Sequence, residues 1–294
     1  VSASALPAER TAASDYLELT KPRITLMVVL TALIGFVLAS PAAPEPLPLL
    51  AALVGTGLVA SGASALNMVL ERRTDARMRR TQERPLPAGR LRTAEAAAFG
   101  LALTSLGLGW LTWFSGSLAA AVALVTWASY VFLYTPLKVR TSLATIVGAF
   151  PGALPPVIGW AAARNAIEPG AFILFAILFL WQIPHFLAIA WIYREDYARG
   201  GLPMLPVLDP EGRITGRQAV AHALALLVVS LTPPVAGLAG VPYLVGAMIL
   251  GIAFAGFAVA AAVHRTVLWA RRLFLASLAY LTLLCALLFV DRLL

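Results

Sequence analysis

The stretch GAFILFAILFLWQIPHFLAIAWIY, residues 170–193, contains no Asp, Glu, Lys or Arg. About 20 apolar residues in a helix are enough to cross the ~30 Å hydrocarbon core of a bilayer, at 1.5 Å of rise each. We therefore read Gly170–Tyr193 as a membrane-crossing helix. Reading outward, Ile24–Ala39, Leu47–Leu70, Ala94–Phe114, Leu118–Tyr134 and Ser142–Ala163 precede it with the same character, and Gln218–Leu238, Tyr243–Val263 and Leu273–Val290 follow. The expectation is an all-α, polytopic membrane protein of about nine transmembrane helices. It forms one domain over residues 1–294, with residues 1–20 as a cytoplasmic N-terminal segment. Lys21 and Arg23, followed by Ile24–Leu38 and small residues, share the outline of a cleavable signal. The polar residues before them favour a retained first span instead.

Composition supports the membrane class. The chain is 60% hydrophobic and 12% charged, where a soluble domain carries roughly a quarter charged residues. The net charge of +8 would suggest nucleic acid in a soluble chain. Here the charges sit in short loops between apolar stretches, so they report topology and anionic partners, and no nucleic acid is expected. The single cysteine, Cys285, has no partner for a disulfide or metal site and reads as packing.

With the N-terminus placed in the cytoplasm, the nine-span layout puts all but two of the 22 basic residues on that side. Only Arg164 and Arg292 fall opposite, a strong positive-inside bias. One missed or invented span would invert every later loop, so the bias also supports the count. The C-terminus is then outside. The outer connections are brief, while the inner ones, Glu71–Thr93 and Arg194–Arg217, are long and rich in charge. Chemistry is expected there, because loops held by a rigid scaffold commonly carry function.

Asn67, Glu71 and Asp75 are spaced four and four at the inner end of the second span. On a continuing helix all three oxygen-bearing side chains share one face, about 6 Å apart along the axis. Hard cations such as Mg²⁺ take carboxylate oxygens together with substrate phosphate oxygens, so the pattern suits a metal-bridged diphosphate. Arg72, Arg73, Arg77, Arg79, Arg80 and Arg84 flank it and can pair with phosphate. A salt-bridged juxtamembrane helix would look the same from spacing alone. A second acidic patch, Glu195-Asp196 within Tyr193–Arg199, ends the sixth span on the same face, before the helix-breaking run Gly200–Pro206. Two acidic helix ends facing each other would hold metal and diphosphate between them. After the fourth span, Lys138 and Arg140 lie beside Thr141 as a third candidate for phosphate. Lys138 is one of only two lysines against twenty arginines.

The sixth span holds Trp181-Gln-Ile-Pro-His185-Phe. An ionisable residue at membrane depth is a functional candidate, and Pro184 frees backbone carbonyls that the histidine would otherwise simply satisfy. His222 and His264 sit near span ends and read as structural. His185 precedes Asp196 by eleven residues. On an unbroken helix it would lie roughly 16 Å deeper along the same side.

Taken together, Leu19–Arg23, Asn67–Asp75, Met78–Thr81 with Arg84-Pro85, Tyr134–Lys138, Gly152–Pro156 with Gly159-Trp160, Pro184–Phe186, Glu195–Tyr197 and Pro203–Pro206 resemble the UbiA superfamily of intramembrane prenyltransferases. Within it the likeness is to the members that farnesylate haem. The resemblance implies a helical bundle around a central cavity in a bacterial cytoplasmic (inner) membrane, surrounded by membrane lipid. Farnesyl diphosphate would bind through the cofactor Mg²⁺, with haem b as acceptor and a downstream haem-modifying enzyme as a candidate partner. It assigns Asn67, Glu71 and Asp75 to the first metal–diphosphate motif and Asp196 to the second. Arg72, Arg79, Arg80, Arg84, Lys138, Arg140 and Arg199 are the diphosphate contacts, with His185 and Tyr193 on the acceptor side. Two departures stand out. Position 71 is Glu where the family pattern has Asp, and the second patch lacks a second Asp at four-residue spacing, so the role of Glu195 is open. The competing readings are an aromatic, quinone-precursor or chlorophyllide acceptor within the same chemistry, a transporter, or a haem-binding assembly factor without activity.

Overall fold

The computed structural model describes residues 11–293; the first ten residues of the expected N-terminal segment, Arg10 among them, lie outside the described residues. All regular structure among the described residues is helical. A short helix, α1 (Ala12–Leu19), opens the chain, its N-cap Thr11 accepting from the Ser14 N–H. It is anchored by Asp15, whose carboxylate accepts from Arg90 Nε at 2.9 and 3.1 Å. Leu19 is buried against Ala65, Met68, Leu86 and Leu91. Then follow α2 (Pro22–Ala39), α3 (Pro46–Asp75) and α4 (Thr93–Phe114). The expected fourth span is composite: α5 (Ser117–Ala128), a π-helical turn (Ser129–Tyr134) and α6 (Thr135–Leu137). The fifth span is likewise two pieces, α7 (Ala144–Ala153) and α8 (Pro155–Arg164), jointed where Pro155 and Pro156 follow Leu154. The sixth is α9 (Pro169–Ile192), helical through Pro184. Two short helices, α10 (Arg194–Arg199) and α11 (Leu205–Leu208), lead into α12 (Arg213–Ser230), α13 (Val241–His264) and α14 (Val267–Leu293).

Among the described residues, eight helical stretches are long and apolar enough to cross a membrane. The expected seventh span, Gln218–Leu238, is represented by α12, whose first turns carry Arg213 and Arg217; the last residues of that expected span form turns. Contacts at the helix ends fix its direction. Asp291, near the end of α14, accepts from the N–H groups of Gly240 and Tyr243 (the latter at 3.2 Å), capping α13. Arg292 donates to the Ser40 carbonyl at the end of α2. The ends of α2 and α14 and the start of α13 therefore share one end of the bundle. The Tyr243 hydroxyl donates to the Ser230 carbonyl at 2.9 Å, bringing the end of α12 there too. Lys21, at the start of α2, lies at the other end. A chain that enters and leaves at opposite ends needs an odd number of traverses, and α12 supplies the ninth.

With no water to expel between helices in lipid, association rests on close packing and small residues. The α2–α8 seam shows this directly. A Cβ on Gly159 would stand 1.9 Å from the Ala32 carbonyl oxygen, and one on Gly35 would stand 2.0 Å from that of Pro156. The largest core cluster joins α8, α9, α12, α13 and α14. Trp113, Phe132, Leu47 and Phe172 are exposed on the bundle's flanks, a distribution suited to lipid and not to water. The chain is an integral membrane protein.

Candidate active site

Helix α3 continues past the apolar part of its span, so Asn67, Glu71 and Asp75 do fall on one face, and they are buried at 1, 7 and 1% exposure. Each is met by a cation. Lys21 Nζ donates to Asn67 Oδ1 at 2.7 Å. Lys138 Nζ donates to both Glu71 oxygens, at 2.9 and 3.2 Å. Arg84 Nη1 donates to Asp75 Oδ2 at 2.8 Å. Asn67 Nδ2 donates to Thr135 Oγ1 at 3.0 Å, and that hydroxyl donates to the Tyr130 carbonyl at 2.8 Å, across the π turn. The wider turn exposes carbonyls that an α-helix would have used, a recurring device at functional sites.

Lys21 adopts a left-handed backbone, φ 47°, unusual for a side-chain-bearing residue. This turn between α1 and α2 places its ammonium on α3. Burial pushes that ammonium down to about 8, against the raising field of Glu71. Burial also acts to lower Lys138, but the Glu71 carboxylate more than offsets it and holds the group above the ordinary lysine range.

The second patch reaches the first through the α3–α4 loop. Asp196 Oδ1 accepts from the Arg79 backbone N–H at 3.2 Å and is ion-paired with Arg199. Burial would raise its carboxyl, but the hydrogen bonds from Arg199 and from the Arg79 backbone outweigh burial and keep it below the usual carboxylate range. Arg80 lies over the rings of Tyr193, at 5.0 Å, and Tyr197, at 4.5 Å. Met78 packs with Tyr197, Leu202 and Met204. Among the described residues no three acidic, His or Cys side chains stand close enough to ligate one ion unaided. The two patches are neighbours joined by Arg79, and a shared metal would also need the oxygens of a substrate. One atom marks where such an ion fits. Asp75 Oδ1 is buried without a hydrogen-bond partner, a costly state for a carboxylate oxygen. With Glu71 one turn and Asn67 two turns back along the same face of α3, the oxygens present are hard ligands of the kind that suit Mg²⁺.

Other residues expected at the site stand apart from this face. Arg72 turns away and donates to Thr93 Oγ1 at the start of α4. A residue one step from Glu71 is rotated by ~100° about the helix axis and cannot share its face. Arg140 and Glu195 are exposed, and Arg79 contributes its backbone. The expected unbroken path from His185 to Asp196 is also absent: α9 ends at Ile192, and Tyr193, at φ −107° and ψ 22°, separates it from α10. Tyr193 is 43% exposed and covered by Arg80. His185 lies in the α9–α14 packing, its Nδ1 2.7 Å from Ser277 Oγ.

Lys21 and Thr135 belong to the site but were not singled out from sequence. The composition held a signal for Lys21. The two lysines of an arginine-rich chain converge on the same three-residue face.

A bundle of about nine membrane-crossing stretches with a cation-paired amide and carboxylates at one end defines a class of membrane protein, and the comparisons supply the same class. The model of the UbiA prenyltransferase family matches residues 28–290, and the chain belongs to that family. Among curated relatives it is similar to the protoheme IX farnesyltransferases of Solibacter usitatus (48% identity, 95% of this chain and 98% of the relative) and Koribacter versatilis (44%, 95% and 93%). Among solved structures it shares its fold with a digeranylgeranylglyceryl phosphate synthase (TM-score 0.80, 18% identity, 95% and 98% covered). A UbiA homologue from Archaeoglobus fulgidus bound to GPP and Mg²⁺ is also similar (TM-score 0.68, 17% identity, 96% and 100% covered).

Proposed function

We propose that this chain transfers the farnesyl group of farnesyl diphosphate to a vinyl group of haem b. Water captures the resulting cation and loses a proton, giving haem o and diphosphate. The observation that carries the reading is the face of α3, where Asp75 Oδ1 is buried and unpartnered among acids already matched to cations, in a chain nearly half identical to protoheme IX farnesyltransferases.

Asn67, Glu71, Asp75 and Asp196 are the residues that would hold Mg²⁺, which when bound supplies Lewis-acid neutralisation of charge on the diphosphate. Lys138, Arg84 and Lys21, each now bonded to this acidic face, are placed to turn toward phosphate oxygens as the leaving group gains charge. Arg199 and Arg80 stand at the second patch for the same purpose. The apolar bundle shields the allylic cation from early capture by water. His185 is the proposed contact on the acceptor side. We place the Glu71–Thr93 and Arg194–Arg217 loops in the cytoplasm and the membrane as the bacterial inner membrane, where haem o passes to a haem-modifying enzyme.

The test is incubation of the purified protein with haem b, farnesyl diphosphate and Mg²⁺, with mass analysis of the pigment. A mass gain of one farnesyl group plus one hydroxyl group is expected. Transfer only to aromatic, quinone-precursor or chlorophyllide acceptors, tested in parallel, would overturn the haem assignment.

A further inference from the structure

The surroundings of His185 fix which of its two nitrogens carries the proton. Ser277 Oγ stands 2.6 Å from the Phe274 carbonyl oxygen and 2.7 Å from His185 Nδ1. A hydroxyl has one hydrogen to give, and a carbonyl has none. If that hydrogen went to Nδ1, two oxygens would face each other at 2.6 Å with no proton between them, which is repulsive. The hydrogen therefore goes to Phe274, and the contact with the ring is Nδ1–H donating to Ser277 Oγ. A neutral imidazole protonated at Nδ1 has its lone pair on Nε2, which has no hydrogen-bond partner among the described residues.

The ring is held as well as typed. It stacks on Trp181 with centroids 4.8 Å apart and packs against Phe274 at 5.1 Å. Trp181 in turn donates its Nε1–H to the Ser277 carbonyl at 2.7 Å. One residue of α14 thus accepts from two side chains of α9 a single turn apart, one on its hydroxyl and one on its carbonyl. This exceeds what completing the backbone around Pro184 would require: the imidazole proton is not spent on a carbonyl of its own helix.

We infer that Ser277 is a positioning residue for the acceptor, orienting His185 so that the Nε2 lone pair is presented to the iron of the tetrapyrrole. The inference rests on the acceptor-side reading of His185 and adds to it the atom that ligates and the residue that sets it. A partner on the far imidazole nitrogen of a metal-bound histidine typically changes metal affinity 10–100-fold when removed.

The test is titration of the detergent-purified protein with haem b, reading affinity, ferric spin state and the iron–histidine vibration of the ferrous form. Ser277→Ala should bind haem b about tenfold more weakly, with an altered iron–histidine vibration. Ser277→Thr should restore both, and farnesyl diphosphate binding should be unchanged throughout. His185→Ala should lose the histidine signature. A second measurement leaves Ser277 intact. In His185→Gly, added imidazole, which can donate to Ser277, should restore the ligated spectrum at lower concentration than 1-methylimidazole, which cannot. If His185→Ala loses the signature while Ser277→Ala keeps the parent's affinity and vibration and the two imidazoles act alike, the role of Ser277 is overturned and that of His185 stands. If His185→Ala itself keeps the parent spectrum, the acceptor-side reading falls and the inference falls with it.

Discussion

Asp75 carries the most specific expectation at the scale of single residues, because one of its oxygens is matched to Arg84 and the other is buried and unmatched. Asp75→Asn keeps the shape and removes the charge. Turnover should fall about a hundredfold or more, the size of losing one preorganised electrostatic contact to developing charge, with little change in thermal unfolding. Asp196→Asn should behave alike. Glu71→Asp should be the mildest acidic change, since it keeps the charge and shortens the reach to Lys138 by one methylene. Steady-state rates of the three variants check this, and near-parent turnover in both Asn variants would remove the metal assignment. The acids were legible in the sequence because four-residue spacing survives any uncertainty in where a helix ends. The cations were less so. Arg72 and Arg84 look equivalent in a basic run, yet the rotation of α3 turns Arg72 toward Thr93, while the turns after Asp75 bring Arg84 back onto Asp75.

Among elements, the α2–α8 seam is the tightest approach, and it makes its own prediction. Gly159→Ala would put a methyl within contact-violating distance of the Ala32 carbonyl, where only backbone can yield. Overpacking of this kind costs about 1–3 kcal/mol, and the variant should unfold at lower temperature in detergent while Gly109→Ala, which meets nothing, does not. Hydropathy located most of the spanning helices to within a few residues because lipid sets a minimum length, although α12 begins and ends earlier than the apolar run it belongs to. It could not show that the fourth span is α, then π, then α, or that α9 gives way at Tyr193. Neither feature changes the apolar content of the segment. Both are set by contacts made at the end of the bundle that carries the candidate site, such as Thr135 with Asn67 and Tyr193 with Arg80. For the same reason α1 went unread: a short helix is held by its docking through Asp15 and Leu19, and not by its own propensity.

For the whole molecule, the charge distribution read from sequence and the end-to-end contacts read from structure give the same parity of crossings by independent routes. Single cysteines placed at Gln82 and Glu211 should react with a membrane-impermeant reagent from the same side, and one at Ile167 from the other. Labelling of Gln82 and Glu211 from opposite sides would separate the two acidic patches and dissolve the site. The pairing of every assigned acid with a base at that end has a consequence for the order of assembly. An ion arriving alone must compete with Lys138 and Arg84 for their carboxylates, and a diphosphate arriving alone must draw those bases away and leave the carboxylates bare. Arriving together, the two newcomers trade partners with the two residents, and no charge is stranded. Cation and diphosphate should accordingly be mutually dependent ligands, each tightening the other by one common factor, as reciprocity between two equilibria requires. Calorimetric titrations of diphosphate with and without Mg²⁺, and of Mg²⁺ with and without diphosphate, should yield equal ratios, and the ratio should shrink when Lys138 is replaced by Met.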